Sequence, residues 1–475
     1  MTETLLSKRW PWILAGVLAI GVYLSTFIQV NLPILTSENA GYSDPRPLGT
    51  IDDIRNFADR SDTNVLFILI DTLRAERMGM YGYARDTTPF LGEIGESGIR
   101  FGRHLAQSSW TKCSMASLWT GLYPPRTGVT RFNHAVPDEA LMPAEIFEEA
   151  GFRTIGIYRN GWVSGYFGFK QGFEVYAKPS TRPIPPSIRR ENPTLTSQGT
   201  DMDTVETAVE FLRLHGDERW MLYLHMMDVH EFLYDAESAL FGTANSDIYD
   251  NAILHEDYVM QKLFEELGRL GLAEKTLVVI ASDHGEAFGE RGFEGHAREV
   301  HRETTEVPFI LSFPFRLEEG IVISERTANI DIWPTVLDLL GLPSLDGADG
   351  RSLRDEILAG GAPGTGNPQI PYFAYLDQSW GNSAASLPAI AVTEGSLRYV
   401  RSHEKGRWLN FLFDSDDDPF ERVNLAGERT ETVERLSALA RDHQNQNSDW
   451  SEGVPELEID EMELNQLRAL GYAIP

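Results

Sequence analysis

Short apolar runs recur along this chain at intervals, and they restrict the fold more than any other feature. Val65 to Ile70 is the cleanest, VLFILI, and Asp71 follows it at once. Similar runs stand at Thr154–Tyr158, Met221–His225, Leu277–Ala281 and Phe309–Phe313. A continuous run of this kind suits a strand buried on both faces, as in a parallel sheet, because a half-solvated strand alternates. Helical patterns lie between the runs, at Leu141–Ala150, Thr204–Leu214 and Ile330–Gly341. Strand and helix in alternation predict an α/β fold, a doubly wound, mostly parallel sheet flanked by helices.

The 475 residues suffice for roughly two or three domains of ~150 residues. A Gly- and Pro-rich stretch, Gly360–Pro371, is followed by β-like segments at Pro371–Leu376, Ala389–Thr393, Leu397–Arg401 and Trp408–Phe413. These predict a small antiparallel sheet, and the acidic tail from Glu428 reads as helical. The division expected is an anchor and polar linker over 1–60, the main α/β domain over 61–345, and a C-terminal subdomain with its tail over 346–475.

Lys8 and Arg9 precede an uncharged segment from Trp10 to Leu35. About 20 apolar residues span a bilayer. Basic residues before the segment and acidic ones after it put the N-terminus in the cytoplasm and the remainder on the periplasmic or extracellular side. The expectation is a single-pass anchor through residues 10–30. A cleaved signal peptide is the rival, although its apolar region is usually only about 7–15 residues long. A buried soluble helix is the third reading.

Formal net charge is −30, from 71 acidic and 41 basic side chains. Such a surface repels polyphosphate backbones, so nucleic acid is excluded as a partner. An anionic substrate then needs local positive charge, from a metal or a few placed basic groups. The single cysteine, Cys113, permits neither an intramolecular disulfide nor a Cys-rich zinc cage, and is expected to be packing.

Four segments place polar residues at the ends of predicted strands or the starts of helices, where ligands bind in open α/β sheets. Asp71 directly follows six apolar residues and reads as a helix cap or as a metal-binding carboxylate. Ser108–Gly121, SSWTKCSMASLWTG, opens a helix whose free N–H groups form an anion site, with Thr111 or a neighbouring serine as nucleophile. Asp283 and His284 end LVVIASDH and offer a carboxylate oxygen and an imidazole nitrogen to a cation. His296 lies thirteen positions beyond Asp283, across a loop with Gly285, Gly289 and Gly292 that can fold back. In WMLYLHMMDVH, His225 reads as a core residue, Asp228 as a turn residue in preference to a ligand, and His230 as the residue that faces substrate.

In this order the segments resemble the sulfatase family of the alkaline phosphatase superfamily, over Asn64 to Asn424. The resemblance includes the first strand with its Asp, TGLYPPRTGV, the DHGE–GE–G–H loop, VPFIL and FDSDDDPFERVNL, which is similar to the family's closing DPxExxNL. It implies a metal-dependent hydrolase of sulfate or phosphate esters on an alkaline-phosphatase-like fold. Family members carry a Cys or Ser, converted to formylglycine, nine residues before the Thr of Thr-Gly. Counting back nine from Thr120 lands on Thr111, and the Pro and Arg positions of C-x-P-x-R are then Cys113 and Met115. Formylglycine is therefore not expected. A direct threonine nucleophile is similar to that of the superfamily's nucleotide phosphodiesterases and its membrane phosphoethanolamine or phosphoglycerol transferases.

The family's paired aspartates are here Asp71–Thr72, and its Asp–Asn pair is Asp283–His284. Exchanging a carboxylate for an imidazole moves the preference from calcium towards zinc or manganese. The resemblance thus implies a metal held by Asp71, Thr111, Asp283 and His284, with His230, His296 and Lys112 binding substrate or, for the histidines, a second metal. A small-molecule, lipid or glycan ester is the expected substrate. A group transferase and a catalytically silent binding protein are the alternatives.

Overall fold

The run Val65–Ile70 becomes the central strand of the molecule in the computed structural model, which describes residues 42–458 apart from 194–198, 363, 365–369, 380–384 and 405. Eight strands form the main sheet: β1 (Asn64–Ile70), β2 (Ile99–Leu105), β3 (Arg153–Tyr158), β4 (Val175–Ala177), β5 (Trp220–Met226), β6 (Thr276–Ala281), β7 (Phe309–Ser312) and β8 (Ile321–Ala328). Their order is β8-β2-β7-β6-β1-β5-β3-β4. All neighbours are parallel except β7, which runs antiparallel to both β2 and β6. The sheet is therefore mixed, and the last of the five apolar runs carries the reversed strand. β2 and β8 escape a reading by apolar runs because they are only partly buried and carry charge, Arg100 and Arg103 in one, Glu325 and Arg326 in the other.

Every residue of β1 is buried. Phe67 meets Trp119 at 5.6 Å and Trp333 at 5.0 Å between ring centroids, which packs the helices Thr111–Thr120 and Ile332–Leu339 onto the sheet. Elsewhere the long helix Asn245–Arg269 packs with Pro89–Glu96 and Asp201–His215.

The C-terminal segments form a four-stranded antiparallel meander, β9 (Tyr372–Asp377), β10 (Pro388–Glu394), β11 (Leu397–Glu404) and β12 (Arg407–Asp414), covered by the helix Thr430–Gln444 through Leu436 and Ala440. The DPFERVNL segment ties this subdomain to the main one. Buried Glu421 meets Arg398, Arg291 and His301, and Asn424 accepts from the Leu412 N–H.

Residues 44–60 are not a free linker. Arg46 and Phe57 are buried, Leu48–Gly49 pairs in parallel with Arg316–Leu317, and Thr50 caps a short helix, Ile51–Arg55. The apolar residues of this stretch, Ile54 and Phe57, have a core to enter, which a solvated linker lacks. Trp10–Leu35, with the expected membrane span over 10–30, lies outside the described residues. Among the described residues no helix is long and apolar enough to cross a membrane.

Candidate active site

Asp71 stands immediately beyond β1, where its N–H still reaches the Met226 carbonyl of β5 at 3.1 Å. The chain then turns through Thr72 with φ +63°, a left-handed conformation that is costly for a β-branched residue. Neighbours hold it there: Tyr249 donates to the Thr72 carbonyl at 2.6 Å, and the Thr72 N–H reaches Asp283 Oδ1 at 3.3 Å. Two other non-glycine residues with positive φ also adjoin site residues, Ala297 beside His296 and Phe232 two positions after His230.

Asp283 and His284 follow β6, the strand paired with β1 on its other side. Thr111 is the first residue of its helix, which is buried throughout and ends at Gly121 with φ +68°. Four side chains thereby converge. Thr111 Oγ1 lies 3.1 Å from His284 Nε2, which is 3.4 Å from Asp283 Oδ2 and 3.8 Å from Asp71 Oδ1. The other imidazole nitrogen, Nδ1, faces the Gly285 carbonyl at 3.0 Å. A carbonyl only accepts, so Nδ1 carries the proton and the Nε2 lone pair points into the group.

The donors fit a divalent cation. One ligand atom from each of Asp71, Asp283 and His284 lies within 4.8 Å of the others. Asp71 Oδ1 and Asp283 Oδ2 are buried and accept no hydrogen bond, although buried carboxylate oxygens rarely go without a partner. Burial, reinforced by the charge of Asp71, pushes Asp283 up to about 7. Burial also opposes the charge on Asp71, but His230, His225 and His284 outweigh it and hold that carboxyl far below the usual range. Two buried carboxylates facing each other are the electrostatic setting in which a cation binds.

His230 and His296 join the group. Their ring centroids are 5.1 Å apart, and His296 is 4.6 Å from His284. Burial holds all three imidazoles below their ordinary pKa, His296 at about 4. The loop that brings His296 back does so for a different reason than a close ligand approach. Gly285 is required because a Cβ there would stand 2.3 Å from the Glu303 carbonyl oxygen, while Gly289 and Gly292, both with positive φ, turn a small hairpin. The Ala297 N–H then bonds the Ser109 carbonyl at 2.8 Å, fastening the loop to the segment before Thr111.

Lys112 is not brought in. Its ammonium donates to the carbonyls of Phe132 and His134 and lies 4.0 Å from the Phe167 ring centroid, with the rings of Trp110 and Trp162 also in reach. The second residue of a helix points its side chain well away from the first, and here that direction leads into an aromatic cage. Cys113 is packing, buried in the main core.

Three residues that sequence reading left out complete the site. His225, read as core, is indeed buried, yet its Nε2 donates to Asp71 Oδ2 at 2.9 Å and its Nδ1 accepts from the Tyr223 hydroxyl at 2.6 Å. Asn160, two residues beyond β3, donates from Nδ2 to the same Asp71 oxygen at 2.7 Å. Glu286 lies 2.8 Å from His296 Nδ1, and burial raises its carboxyl to about 7. The signal available for Asn160 was a strand-end polar residue, the same that marked Asp71. Asp228 is a turn residue whose carboxylate also binds Arg159 and the Asp201 N–H, bracing the loop that carries His230.

Comparison with known proteins identifies the family. The sulfatase family model matches residues 63–342, and the model for the C-terminal region of N-sulphoglucosamine sulphohydrolase matches 289–446. The chain is 24% identical to an ulvan-active sulfatase of Formosa agariphila, over 77% of each protein. It is also 24% identical to the N-acetylgalactosamine-6-sulfatase of Homo sapiens, covering 80% of this chain and 85% of that one. Among solved structures, the phosphonate monoester hydrolase of Agrobacterium radiobacter superposes with a TM-score of 0.64 at 18% identity, over 84% of this chain and all of that one. A 2-O GAG sulfatase superposes equally well, with a TM-score of 0.64 at 19% identity, over 85% of this chain and 96% of that one. With the family model spanning more than half its length, the chain belongs to the sulfatase family of ester hydrolases, on the alkaline-phosphatase-like fold.

Proposed function

We propose that this protein hydrolyses monoanionic esters, sulfate monoesters first among them, through a covalent ester on Thr111. The observation that carries the reading is the convergence of Asp71, Asp283 and His284 on the Thr111 hydroxyl at the start of a buried helix. A divalent cation would be held here by Asp71, Asp283, His284 and Thr111, and would supply Lewis acidity that lowers the pKa of that hydroxyl. The imidazole in the ligand set favours zinc or manganese over calcium.

Thr111 Oγ, its proton released to solvent, attacks sulfur, the new O–S bond forming as the bond to the departing alcohol oxygen breaks. Backbone N–H groups of the first helical turn face the equatorial oxygens, with His230 alongside. The departing oxygen takes its proton from the Glu286–His296 pair, in which the raised carboxyl keeps one proton near neutral pH. Water then attacks the threonyl ester, releasing the inorganic anion and restoring the hydroxyl.

Charge favours a monoanion. Lys112 is turned away, the arginine position of the family motif is Met115, and burial disfavours charge on the three imidazoles. With the carboxylates of Asp71 and Asp283 offsetting a divalent cation, a dianionic phosphate monoester meets less positive charge than it carries on to its transition state. The curated relatives named above are sulfatases, and a structural neighbour is a phosphonate monoester hydrolase; both names describe monoanionic substrates.

The test is a parallel assay of metal-loaded protein with a 4-nitrophenyl sulfate, a phosphonate monoester, a phosphate diester and a phosphate monoester. Higher kcat/KM for the phosphate monoester than for all three monoanions overturns the charge argument. Full activity in Thr111→Ala overturns the nucleophile. We also propose that Trp10–Leu35 anchors the enzyme with its catalytic unit on the outer side; recovery of full-length protein only in the soluble fraction refutes that.

A further inference from the structure

We propose that Asn160 is a catalytic residue that donates a hydrogen bond to the nucleophilic oxygen itself, an inference that rests on Thr111 being the nucleophile. The orientation of its amide is decided by chemistry. Asn160 Oδ1 accepts from the Trp162 N–H at 2.9 Å, capping the short turn Gly161–Val163. The oxygen is thereby assigned, and Nδ2 must point the other way. It has two N–H groups and meets two acceptors, Asp71 Oδ2 at 2.7 Å and Thr111 Oγ1 at 3.4 Å. A single neutral amide thus links the nucleophile to a carboxylate of the proposed metal site.

The amide is held as rigidly as the residues it serves. Asn160 is fully buried, and Trp162 packs edge-on against Trp110, the residue before Thr111, with centroids 5.2 Å apart. The loop after β3 is thereby packed against the residue that precedes the Thr111 helix.

An amide N–H cannot remove the hydroxyl proton, but it stabilises negative charge that gathers on Oγ as the proton passes to solvent. The contact of 3.4 Å is long for a neutral hydroxyl and shortens as charge develops, as catalytic hydrogen bonds commonly do. In the second half-reaction Oγ becomes the leaving group: the Oγ–S bond breaks, the electron pair returns to Oγ, and the same N–H meets it. Both steps therefore depend on Asn160. The carboxamide also suits its second partner, since a carboxylate in its place would repel Asp71.

The test compares Asn160→Ala, Asn160→Asp and Thr111→Ala with the parent protein, each metal-loaded, using 4-nitrophenyl sulfate. Loss of one preorganised donor lowers kcat about 10²-fold. Expected for Asn160→Ala is a fall of that size, in both the single-turnover rate and the hydrolysis of trapped threonyl ester. KM should stay within about threefold, with unchanged metal content by mass spectrometry. Asn160→Asp should be slower still, with its activity shifted to lower pH, where the new carboxyl is protonated and donates again. Asn160→Ala retaining kcat within about threefold, or regaining it at saturating metal, overturns the proposal. If Thr111→Ala is inactive while Asn160→Ala is normal, only the role of Asn160 fails; if Thr111→Ala remains active, the nucleophile assignment fails first.

Discussion

His225 Nε2 lies 2.9 Å from Asp71 Oδ2, and both side chains are completely buried. A carboxylate can only accept, so Nε2 carries the proton, and Nδ1 is left to accept from Tyr223. This Tyr–His–Asp chain turns one carboxylate oxygen towards the protein and leaves the other, Oδ1, facing His284. Partners of this kind are worth about 10–100-fold in metal affinity. His225→Ala should weaken divalent-metal binding by about that factor in a chelator competition, while His225→Gln, which keeps a terminal N–H donor, should recover part of it. Equal affinity in parent and His225→Ala would remove His225 from the site.

Metal binding should also be visible without turnover. A cation that binds only the folded state at 100 times its Kd adds about 2.7 kcal/mol, several degrees in a thermal melt. Manganese and zinc should produce that shift at lower concentration than calcium. Asp71→Asn and Asp283→Asn should abolish it. A shift that persists in both variants places the cation elsewhere.

Lys112 separates a packing role from a substrate role. Lys112→Met keeps the length of the chain inside the Trp110, Trp162 and Phe167 cage but leaves the carbonyls of Phe132 and His134 without their donor. Expected is a loss of roughly 1–3 kcal/mol in stability, with KM unchanged within about threefold. A large rise in KM with an unchanged melting temperature would return Lys112 to the substrate.

Glu421 makes acid stability a test of the subdomain contact. Burial alone would raise its carboxyl, but Arg398, His301 and Arg291 outweigh burial and hold it at about 2. A depressed carboxyl stabilises the folded state above its unfolded pKa of 4.5, and that contribution drains away as pH falls towards 2. Glu421→Gln should therefore cost roughly 3 kcal/mol at pH 7 and make the melting temperature less dependent on pH between about 5 and 3. A variant with the same acid sensitivity as the parent would show that this pair does not govern it.

Much of the site could be read in one dimension because its ligands obey a local rule. Asp71 follows an apolar run directly, Asp283 and His284 follow another after Ser282 alone, and in an open sheet of this class such ends gather at one edge. Thr111 was legible through its distance from Thr120 in a known motif. His225 and Asn160 were not. A histidine inside WMLYLH looks like core until β5 is known to lie beside β1, with His225 opposite Leu69. Asn160 looks like a loop residue until β3 is placed beside β5, which brings its amide across to Asp71.

The sequence by itself determined five of the eight strands of the main sheet and that acidic and imidazole groups sit at the ends of some of them, because burial on two faces leaves a continuous apolar run. It also determined the family, because several spaced motifs occur in order. Only the tertiary structure decided that β7 is reversed, that Lys112 points into an aromatic cage, and that His225 and Asn160 grip Asp71. Strand order, strand direction and the line along which a side chain leaves a helix are set by contacts between distant segments, and no local pattern carries that information.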